Sequence, residues 1–176
     1  MKICVIGTGY VGLVAGTCLA ETGNDVICVD NNSEKIEKLQ NGIVTIYEPG
    51  LEELIKSNVK EKRLHFSTDI DNAVKQSLVC FIAVGTPLGE NGCANMKYVY
   101  EVAESIGKSI NDYKVIVNKS TVPVGTAEKV RKIIESYSSQ PFDMVSNPEF
   151  LKQGAAVEDF IRPDRVIIGA DTPKAF

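Results

Sequence analysis

Short apolar runs alternate along this chain with longer stretches in which apolar side chains recur at helical spacing. The apolar runs predict strands buried on both faces of a sheet, at residues 2–6, 26–29, 64–67, 78–84, 114–118, 142–146 and 165–169. The amphipathic stretches predict helices at residues 11–21, 33–40, 52–57, 70–75, 97–110 and 126–136. Strand–helix alternation with short connections predicts the α/β class, a doubly wound, mostly parallel sheet with helices on both faces.

The ends of the predicted strands carry most of the polar and glycine-rich motifs of the chain. Ligands of doubly wound sheets bind at the carboxyl ends of the strands. Here those ends are residues 7–12, Asp30, and residues 85–87, 119–122 and 146–153. We expect them to face one crevice, which is the candidate functional site.

The run GTGYVG at residues 7–12 follows a predicted strand and opens a predicted helix. In that context Gly7 permits a tight turn, Gly9 lets the backbone approach a pyrophosphate, and Gly12 lets helix and strand pack closely. The helix N-terminus adds unpaired N–H groups and partial positive charge. The pattern predicts a dinucleotide-binding turn, and an ordinary glycine-rich turn is the alternative.

Asp30 ends the second predicted strand, 23 residues after Gly7. A carboxylate there accepts hydrogen bonds from the ribose hydroxyls of a dinucleotide and repels a 2′-phosphate, which favours NAD over NADP. The alternative is a capping role for the next helix, although Asn31, Asn32 or Ser33 could cap it equally well.

Three further strand ends carry polar side chains that suit a cleft. Thr86 could reach a cofactor, or simply belong to a strand-ending turn. The segment KST at residues 119–121 offers an amine and two hydroxyls, or the start of a helix. In NPEFLKQG, at residues 147–154, Glu149 could act as an acid–base group or be an exposed glutamate at a helix start. His65, the only histidine, lies away from these ends and argues against a histidine-based dehydrogenase mechanism.

The composition indicates one folded domain. The chain has 176 residues, a net charge of −4, a pI of about 5.1 and 44% hydrophobic residues. The negative charge argues against a nucleic-acid or anionic-membrane surface. No apolar run reaches the roughly 18 residues of a membrane span, and the chain opens on a strand rather than a signal peptide. We therefore expect a cytosolic protein.

The five cysteines include no C-x-x-C pair, which argues against a metal site or a disulfide framework. Cys4, Cys28 and Cys80 lie in apolar runs and are expected in the core. Cys93 lies in the loop at residues 88–95, which is rich in glycine and asparagine and is expected to be exposed and mobile.

Taken in order, these motifs resemble the UDP-glucose 6-dehydrogenase family. The resemblance covers essentially the whole chain, and its last stretch is highly specific. It is carried by GTGYVG at 7–12, Asp30, YEPGLEEL at 47–54, AVGTP at 83–87, KSTVPVGT at 119–126 and SNPEFLKQGAAVEDFIRPDRVIIG at 146–169. The related GDP-mannose and UDP-N-acetylmannosamine dehydrogenases share the early motifs but usually differ in the PEFL and PDR segments.

The resemblance implies a Rossmann-type NAD-binding domain of an enzyme of nucleotide-sugar metabolism and polysaccharide biosynthesis. The family oxidises the C6 alcohol of UDP-glucose to a carboxylate with two NAD. An aldehyde forms first, and a cysteine traps it as a thiohemiacetal, which is oxidised to a thioester and then hydrolysed.

The resemblance also implies roles for individual residues. The implied NAD contacts are Tyr10, Val11, Asp30, Lys35, Thr86, Thr121 and Gln153. Thr121 would also help hold the catalytic water, and Glu149 would serve as acid–base in thioester hydrolysis. The sugar-nucleotide site would be lined by Glu149, Phe150, Leu151 and Lys152. Many members carry a glutamate where this chain has Gln153, so a hydrogen bond toward nicotinamide or substrate replaces any titrating role there.

Family members continue through a long helix into a second α/β domain, which supplies the nucleophilic cysteine, a lysine and an asparagine. Residues 1–176 are therefore expected to form the N-terminal NAD-binding domain of a homodimer or larger homo-oligomer, inactive alone. The alternatives are a fragment of a GDP-mannose or UDP-N-acetylmannosamine dehydrogenase, or a stand-alone NAD-binding module.

Overall fold

The computed structural model describes residues 1–89 and 92–175, and across them it places a seven-stranded sheet in the order β3-β2-β1-β4-β5-β6-β7. The strands are β1 (Lys2–Ile6), β2 (Asp25–Val29), β3 (Leu64–Ser67), β4 (Val79–Ile82), β5 (Lys114–Asn118), β6 (Phe142–Ser146) and β7 (Gly169–Ala170). Every pairing from β1 to β6 is parallel, and β7 pairs with β6 in the antiparallel direction. The predicted doubly wound, mostly parallel sheet is confirmed.

The connections between strands are helical. The helices are α1 (Tyr10–Glu21), α2 (Ser33–Gln40), α3 (Leu51–Lys60), α4 (Ile70–Gln76), α5 (Lys97–Ser109), α6 (Thr126–Tyr137) and α7 (Ala156–Ile161), and a 3₁₀ turn covers Pro173–Ala175. Helix α2 begins where the Asn32 side chain accepts a hydrogen bond from the Lys35 amide at 3.0 Å. Asn32 rather than Asp30 is therefore the cap, and the capping alternative for Asp30 is wrong.

Alternate side chains of each inner strand point to opposite faces of the sheet, and both faces are covered by helices. In β1, Ile3 and Val5 join a core cluster with α1, α2, α3 and α7. Cys4 and Ile6 join a second cluster with α4, α5 and α6. The centres of β1, β2 and β4 are apolar because neither face of the sheet meets water there.

The C-terminal part of the sheet differs from the prediction. A full strand at residues 165–169 is wrong: only Gly169 and Ala170 pair with β6, and Val166 is 63% exposed. Helix α7 was not predicted either, and its six residues span about 9 Å, whereas β6 is about 16 Å long. The chain between β6 and β7 contains this one short helix, and β7 pairs with β6 in the antiparallel direction.

The remaining elements agree with the predicted pattern except at their ends. The predicted strand at residues 78–84 is confined to β4. Cys4, Cys28 and Cys80 are buried and Cys93 is exposed, as expected. In the 88–95 loop, Leu88 and Ala94 form an isolated bridge, and the mobility predicted there falls partly on residues 90 and 91, which lie outside the described residues. Within the described ranges, no helix is both long and apolar enough to cross a bilayer.

Candidate functional site

The glycine turn between β1 and α1 is built so that side chains are excluded at two positions and space is left at the third. Gly7 has a φ of +102°, and a Cβ there would lie 2.6 Å from the Ala83 carbonyl oxygen. A Cβ on Gly12 would lie 1.8 Å from the Gly7 carbonyl oxygen. A Cβ on Gly9 would meet no atom within 4 Å. The open side of Gly9 therefore lets a ligand reach the backbone.

The first turn of α1 presents unpaired amides to this open space. Gly9 is the N-cap, no side chain caps the helix there, and the first intrahelical bond runs from the Leu13 amide to the Gly9 carbonyl at 2.9 Å. The amides of the preceding residues have no intrahelical acceptor. Together with the helix dipole they form an anion-binding site of the size of a phosphate group.

Asp30 lies at the carboxyl end of β2, beside the glycine turn, and its carboxylate is firmly held. Its Oδ2 accepts from the Thr8 amide at 2.9 Å, the Thr8 hydroxyl at 2.7 Å and the Lys35 amine at 3.2 Å. Its Oδ1 accepts from the Asn32 amide at 3.1 Å, which leaves that oxygen capacity for a ligand hydroxyl.

The same contacts fix the charge of Asp30. Burial alone would raise the pKa of Asp30, but the hydrogen bonds from Thr8 and Asn32 and the charge of Lys35 outweigh it and lower the pKa below its ordinary value. Thr8, which is fully buried, is a positioning residue that the sequence analysis missed, because it occupies a variable position of the glycine motif.

A cleft of about 600 Å³ opens between the glycine turn and helix α5. Gly7, Gly9, Asp30 and Lys35 line it, so these predicted residues come together. Residues of α5 and of the chain at the start of α4 form its outer wall. They are Tyr98, Glu101, Val102 and Ser105 from α5, with Thr68 and Ile70. The sequence indicated α5 only as a packing helix. The exposed edge of α5 faces the cleft because the sheet order places β4, the strand before α5, beside β1.

The ends of β4 and β5 are tied together by hydroxyl groups. The Thr86 hydroxyl donates to the Thr121 carbonyl at 2.8 Å, and the Ser120 hydroxyl donates to the Val84 carbonyl at 2.7 Å. Thr86 and Thr121 are therefore neighbours. Ser120 is buried, where its hydroxyl connects the ends of β4 and β5 and is not accessible to a ligand.

A second cavity of about 140 Å³ lies at the ends of β5 and β6, and Lys119, Glu149, Phe150 and Leu151 are among its lining residues. Glu149 accepts from the Leu151 amide at 2.6 Å, which folds this segment back on itself. The expected single crevice is thus two cavities along one sheet edge. Lys152 and Gln153 are exposed and line neither of them.

Lys119 is the buried cation of this second cavity. Its amine donates to the Asn147 side-chain oxygen at 3.1 Å, and its side chain is 6% exposed. Burial lowers the pKa of Lys119, and the nearby negative charge of Glu149 opposes this shift. Within the described residues, no group of three or more His, Cys, Asp or Glu could hold a metal ion.

Glu48 joins the glycine turn to the 147–156 segment, and the sequence analysis gave it no role. Its buried carboxylate accepts from the Tyr10 hydroxyl at 2.5 Å, the Gly154 amide at 2.8 Å and the Ala156 amide at 2.8 Å. Burial would raise the pKa of Glu48, but these donors lower it overall. Burial and the Glu48 carboxylate raise the pKa of Tyr10 to about 12. The Tyr10 hydroxyl therefore contacts protein.

Comparisons with known proteins agree with this geometry. The family model for the NAD binding domain of the UDP-glucose/GDP-mannose dehydrogenase family matches residues 1–176. UDP-glucose 6-dehydrogenase TuaD of Bacillus subtilis is 52% identical over 176 residues, 99% of this chain and 38% of that protein. UDP-glucose 6-dehydrogenase of Rhizobium meliloti is 51% identical over 173 residues, 97% of this chain and 40% of that protein. The chain spans about two fifths of the length of these relatives.

Solved structures show the same relationship. A UDP-glucose dehydrogenase from Pyrobaculum islandicum is 39% identical, with a TM-score of 0.96 over 98% of this chain and 41% of that chain. A ternary complex of GDP-mannose dehydrogenase from Pseudomonas aeruginosa is 37% identical, with a TM-score of 0.96 over 99% of this chain and 42% of that chain. The chain belongs to the UDP-glucose/GDP-mannose dehydrogenase family, of which it forms the NAD-binding domain.

Proposed function

We propose that residues 1–176 are the cofactor-binding part of an enzyme that oxidises the C6 alcohol of UDP-glucose to the carboxylate of UDP-glucuronate with two NAD. The support for this substrate is the identity of 52% and 51% to relatives named UDP-glucose 6-dehydrogenase, against 37% for the GDP-mannose dehydrogenase structure. Because the chain spans about two fifths of those relatives, we propose that the remainder of the enzyme supplies the other catalytic groups.

The observation that carries the proposal is the pairing of an uncapped, glycine-built helix start with a fixed carboxylate at the next strand end. The free amides of α1 would hold the pyrophosphate, and Asp30 would accept hydrogen bonds from the adenosine ribose. Asp30 Oδ1 has room for this acceptance, while a 2′-phosphate would face the carboxylate charge. Bound NAD would supply the hydride acceptor.

The rest of the cleft edge fits the second half of the dinucleotide and the sugar. A dinucleotide lying across the sheet edge from β2 passes β4 and β5 and reaches β6. Thr86 and Thr121 would then contact its nicotinamide half, with Gln153 at the far end. Glu149 would serve as acid–base, because it lines the second cavity beside a buried cation. Phe150, Leu151 and Lys152 would complete the sugar-nucleotide contacts.

Calorimetric titration of the chain with NAD and with NADP tests the cofactor assignment. We expect NAD to bind more tightly, and Asp30→Asn to weaken NAD by about tenfold, close to 1.4 kcal/mol. Asp25→Asn is the matched control, because Asp25 lies at the amino end of the same strand. A well-folded chain that takes up no NAD, or a control that weakens NAD as much as Asp30→Asn, would contradict the assignment.

A second measurement addresses the substrate. With NAD present, we expect the chain to bind UDP-glucose more tightly than GDP-mannose, and to form no UDP-glucuronate by itself. Preference for GDP-mannose would replace the proposed substrate. UDP-glucuronate formation by these 176 residues would show that no further part of an enzyme is needed.

A further inference from the structure

Glu48 is the one charged side chain that bridges the two halves of the candidate site within the described residues. Its Oε2 accepts from the Tyr10 hydroxyl at 2.5 Å and the Gly154 amide at 2.8 Å, and its Oε1 accepts from the Ala156 amide at 2.8 Å. Tyr10 begins α1 directly after the glycine turn, and Gly154 and Ala156 directly follow the segment proposed to meet nicotinamide and sugar. The Tyr10 hydroxyl also lies 3.4 Å from the Lys152 carbonyl oxygen.

We propose that Glu48 is a positioning residue that holds the segment at residues 149–153 in a fixed place relative to the dinucleotide-binding turn. The inference rests on the proposed function, since it assigns the turn to NAD and the segment to nicotinamide and sugar. Glu48 acts through Tyr10 and the backbone, and has no contact of its own with the reacting atoms.

The segment itself is tied down by carboxylates that accept from its backbone amides. Glu149 accepts from the Leu151 amide at 2.6 Å, and Asp159 accepts from the Lys152 amide at 2.9 Å. Both of these carboxylates belong to the segment or to the helix that follows it, so they fix its shape but not its place. Glu48 comes from more than 100 positions earlier in the chain, with separations of 106 and 108 from Gly154 and Ala156. The location of the segment beside α1 therefore depends on Glu48, together with the apolar packing of Leu151 and Ala156 in the core cluster of α1.

The hydrogen bonds by which Glu48 connects α1 to the segment require a carboxylate. The Tyr10 hydroxyl and the Gly154 and Ala156 amides all donate, and they approach both oxygens, while the Val157 amide is a further donor to the carboxylate. A glutamine has only one acceptor oxygen, and its NH₂ group would face the Ala156 amide in one orientation, or Tyr10 and the Gly154 amide in the other. With the side chain 5% exposed, water does not replace the lost partner. Glu48→Gln therefore removes the hydrogen bonds to one of the two carboxylate oxygens while it preserves the shape of the side chain.

The test compares NAD with ADP-ribose, which carries the pyrophosphate and the adenosine but lacks nicotinamide. Calorimetry on the chain measures both dissociation constants for the parent, Glu48→Gln, Tyr10→Phe and the control Glu53→Gln, an exposed acid on α3. We expect Glu48→Gln to raise the ratio of the NAD to the ADP-ribose dissociation constant by about fivefold, as for one lost hydrogen bond. Tyr10→Phe should raise this ratio by less, and the control should leave it unchanged.

A purely structural role would give a different result. Partial unfolding weakens both ligands by the same factor and leaves the ratio unchanged. Hydrogen exchange gives a second readout: NAD should slow exchange at residues 151–156 most in the parent, less in Tyr10→Phe and least in Glu48→Gln, while all three proteins remain protected at residues 8–13. Tyr10→Phe keeps the test open if Glu48→Gln does not fold.

The two proposals fail in different ways. A parent chain that binds neither ligand overturns the proposed function, and this inference with it. A parent chain that binds NAD, combined with an unchanged ratio and persistent protection of residues 151–156 in the variants, overturns the positioning role alone.

Discussion

The two ends of the site are held by contacts of very different range. At the end proposed to hold adenosine, called here the adenosine end, Thr8 and Lys35 fix Asp30 from 22 and 5 positions away, between the start of α1 and the start of α2. At the other end, Glu48 fixes Gly154 and Ala156 from 106 and 108 positions away, between elements that are distant in the chain. The first end is specified by neighbours in sequence, and the second only by the completed fold.

This difference has a physical consequence. Closing a long loop costs more conformational entropy than closing a short one, so the contacts around Glu48 depend on more of the fold to offset that cost. Contacts within a βαβ unit depend on much less of the fold. Changes at the adenosine end should therefore act on the turn or on the whole domain, whereas changes at the Glu48 end should loosen one segment.

The largest expected effect is that of Gly12→Ala, which tests how rigid the adenosine end is. The added Cβ would lie 1.8 Å from the Gly7 carbonyl oxygen, which belongs to the backbone and cannot move aside. We expect a loss of more than about 3 kcal/mol in the free energy of unfolding, or no folded protein, as measured by urea denaturation.

Gly9→Ala is the matched control for this prediction. Gly9 has a φ of −68°, which alanine adopts freely, and its Cβ would meet no atom within 4 Å. The domain should keep its stability within about 0.5 kcal/mol, while NAD binding weakens because the methyl group occupies the ligand side of the turn. Equal destabilisation by the two variants would show that the turn is not packed as described.

Glu48→Gln should have the next largest effect and sharpens the comparison at the other end. Leaving a buried donor without its acceptor should cost about 2 kcal/mol in the free energy of unfolding. Hydrogen exchange should rise first at residues 151–157, with β1 and β2 still protected. A uniform rise over the whole sheet would mean that Glu48 supports the global fold rather than one segment.

The same carboxylate predicts an acid sensitivity of the segment. The pKa of Glu48 is lower in the folded chain than its ordinary value of 4.5, so the unfolded chain binds more protons as the pH falls below 4.5. The stability from Glu48 is thus present above pH 4.5 and lost as the pH falls through the lowered folded value. Urea midpoints measured from pH 6 downward should fall less steeply for Glu48→Gln than for the parent.

The sequence specified the adenosine end well because its rules are local. The spacing of Gly7, Gly9 and Gly12, and the position of Asp30 at a strand end, each constrain backbone within one supersecondary unit. It failed at residues 165–169 because β-branched side chains indicate strand shape but not whether a partner strand is present. The role of Glu48 could not be predicted for a related reason, since no local sequence rule places its hydrogen-bond partners near it.

The smallest expected effect concerns Lys119, which carries the only amine lining the second cavity in the described part of the chain. Burial lowers the pKa of Lys119, so between that lowered value and 10.5 the unfolded chain binds more protons than the folded chain, and stability rises with pH. Lys119→Met removes this dependence together with a buried charge. It should leave the free energy of unfolding at pH 7 within about 1 kcal/mol of the parent, because the lost bond to Asn147 offsets the relief of burial.

The measurement is the difference in the free energy of unfolding between parent and Lys119→Met from pH 6 to pH 9. The buried thiols, whose ordinary pKa is 9.0, begin to titrate near the upper end of this window, but they do so equally in both proteins and cancel in the difference. The parent should gain on the variant as the pH rises. Parallel curves would mean that Lys119 stays charged up to pH 9, with the Glu149 carboxylate opposing the effect of burial. In that case the charges of Lys119 and Glu149 would balance one another in the second cavity, and Arg165 would be the cation left there to attract an anionic ligand.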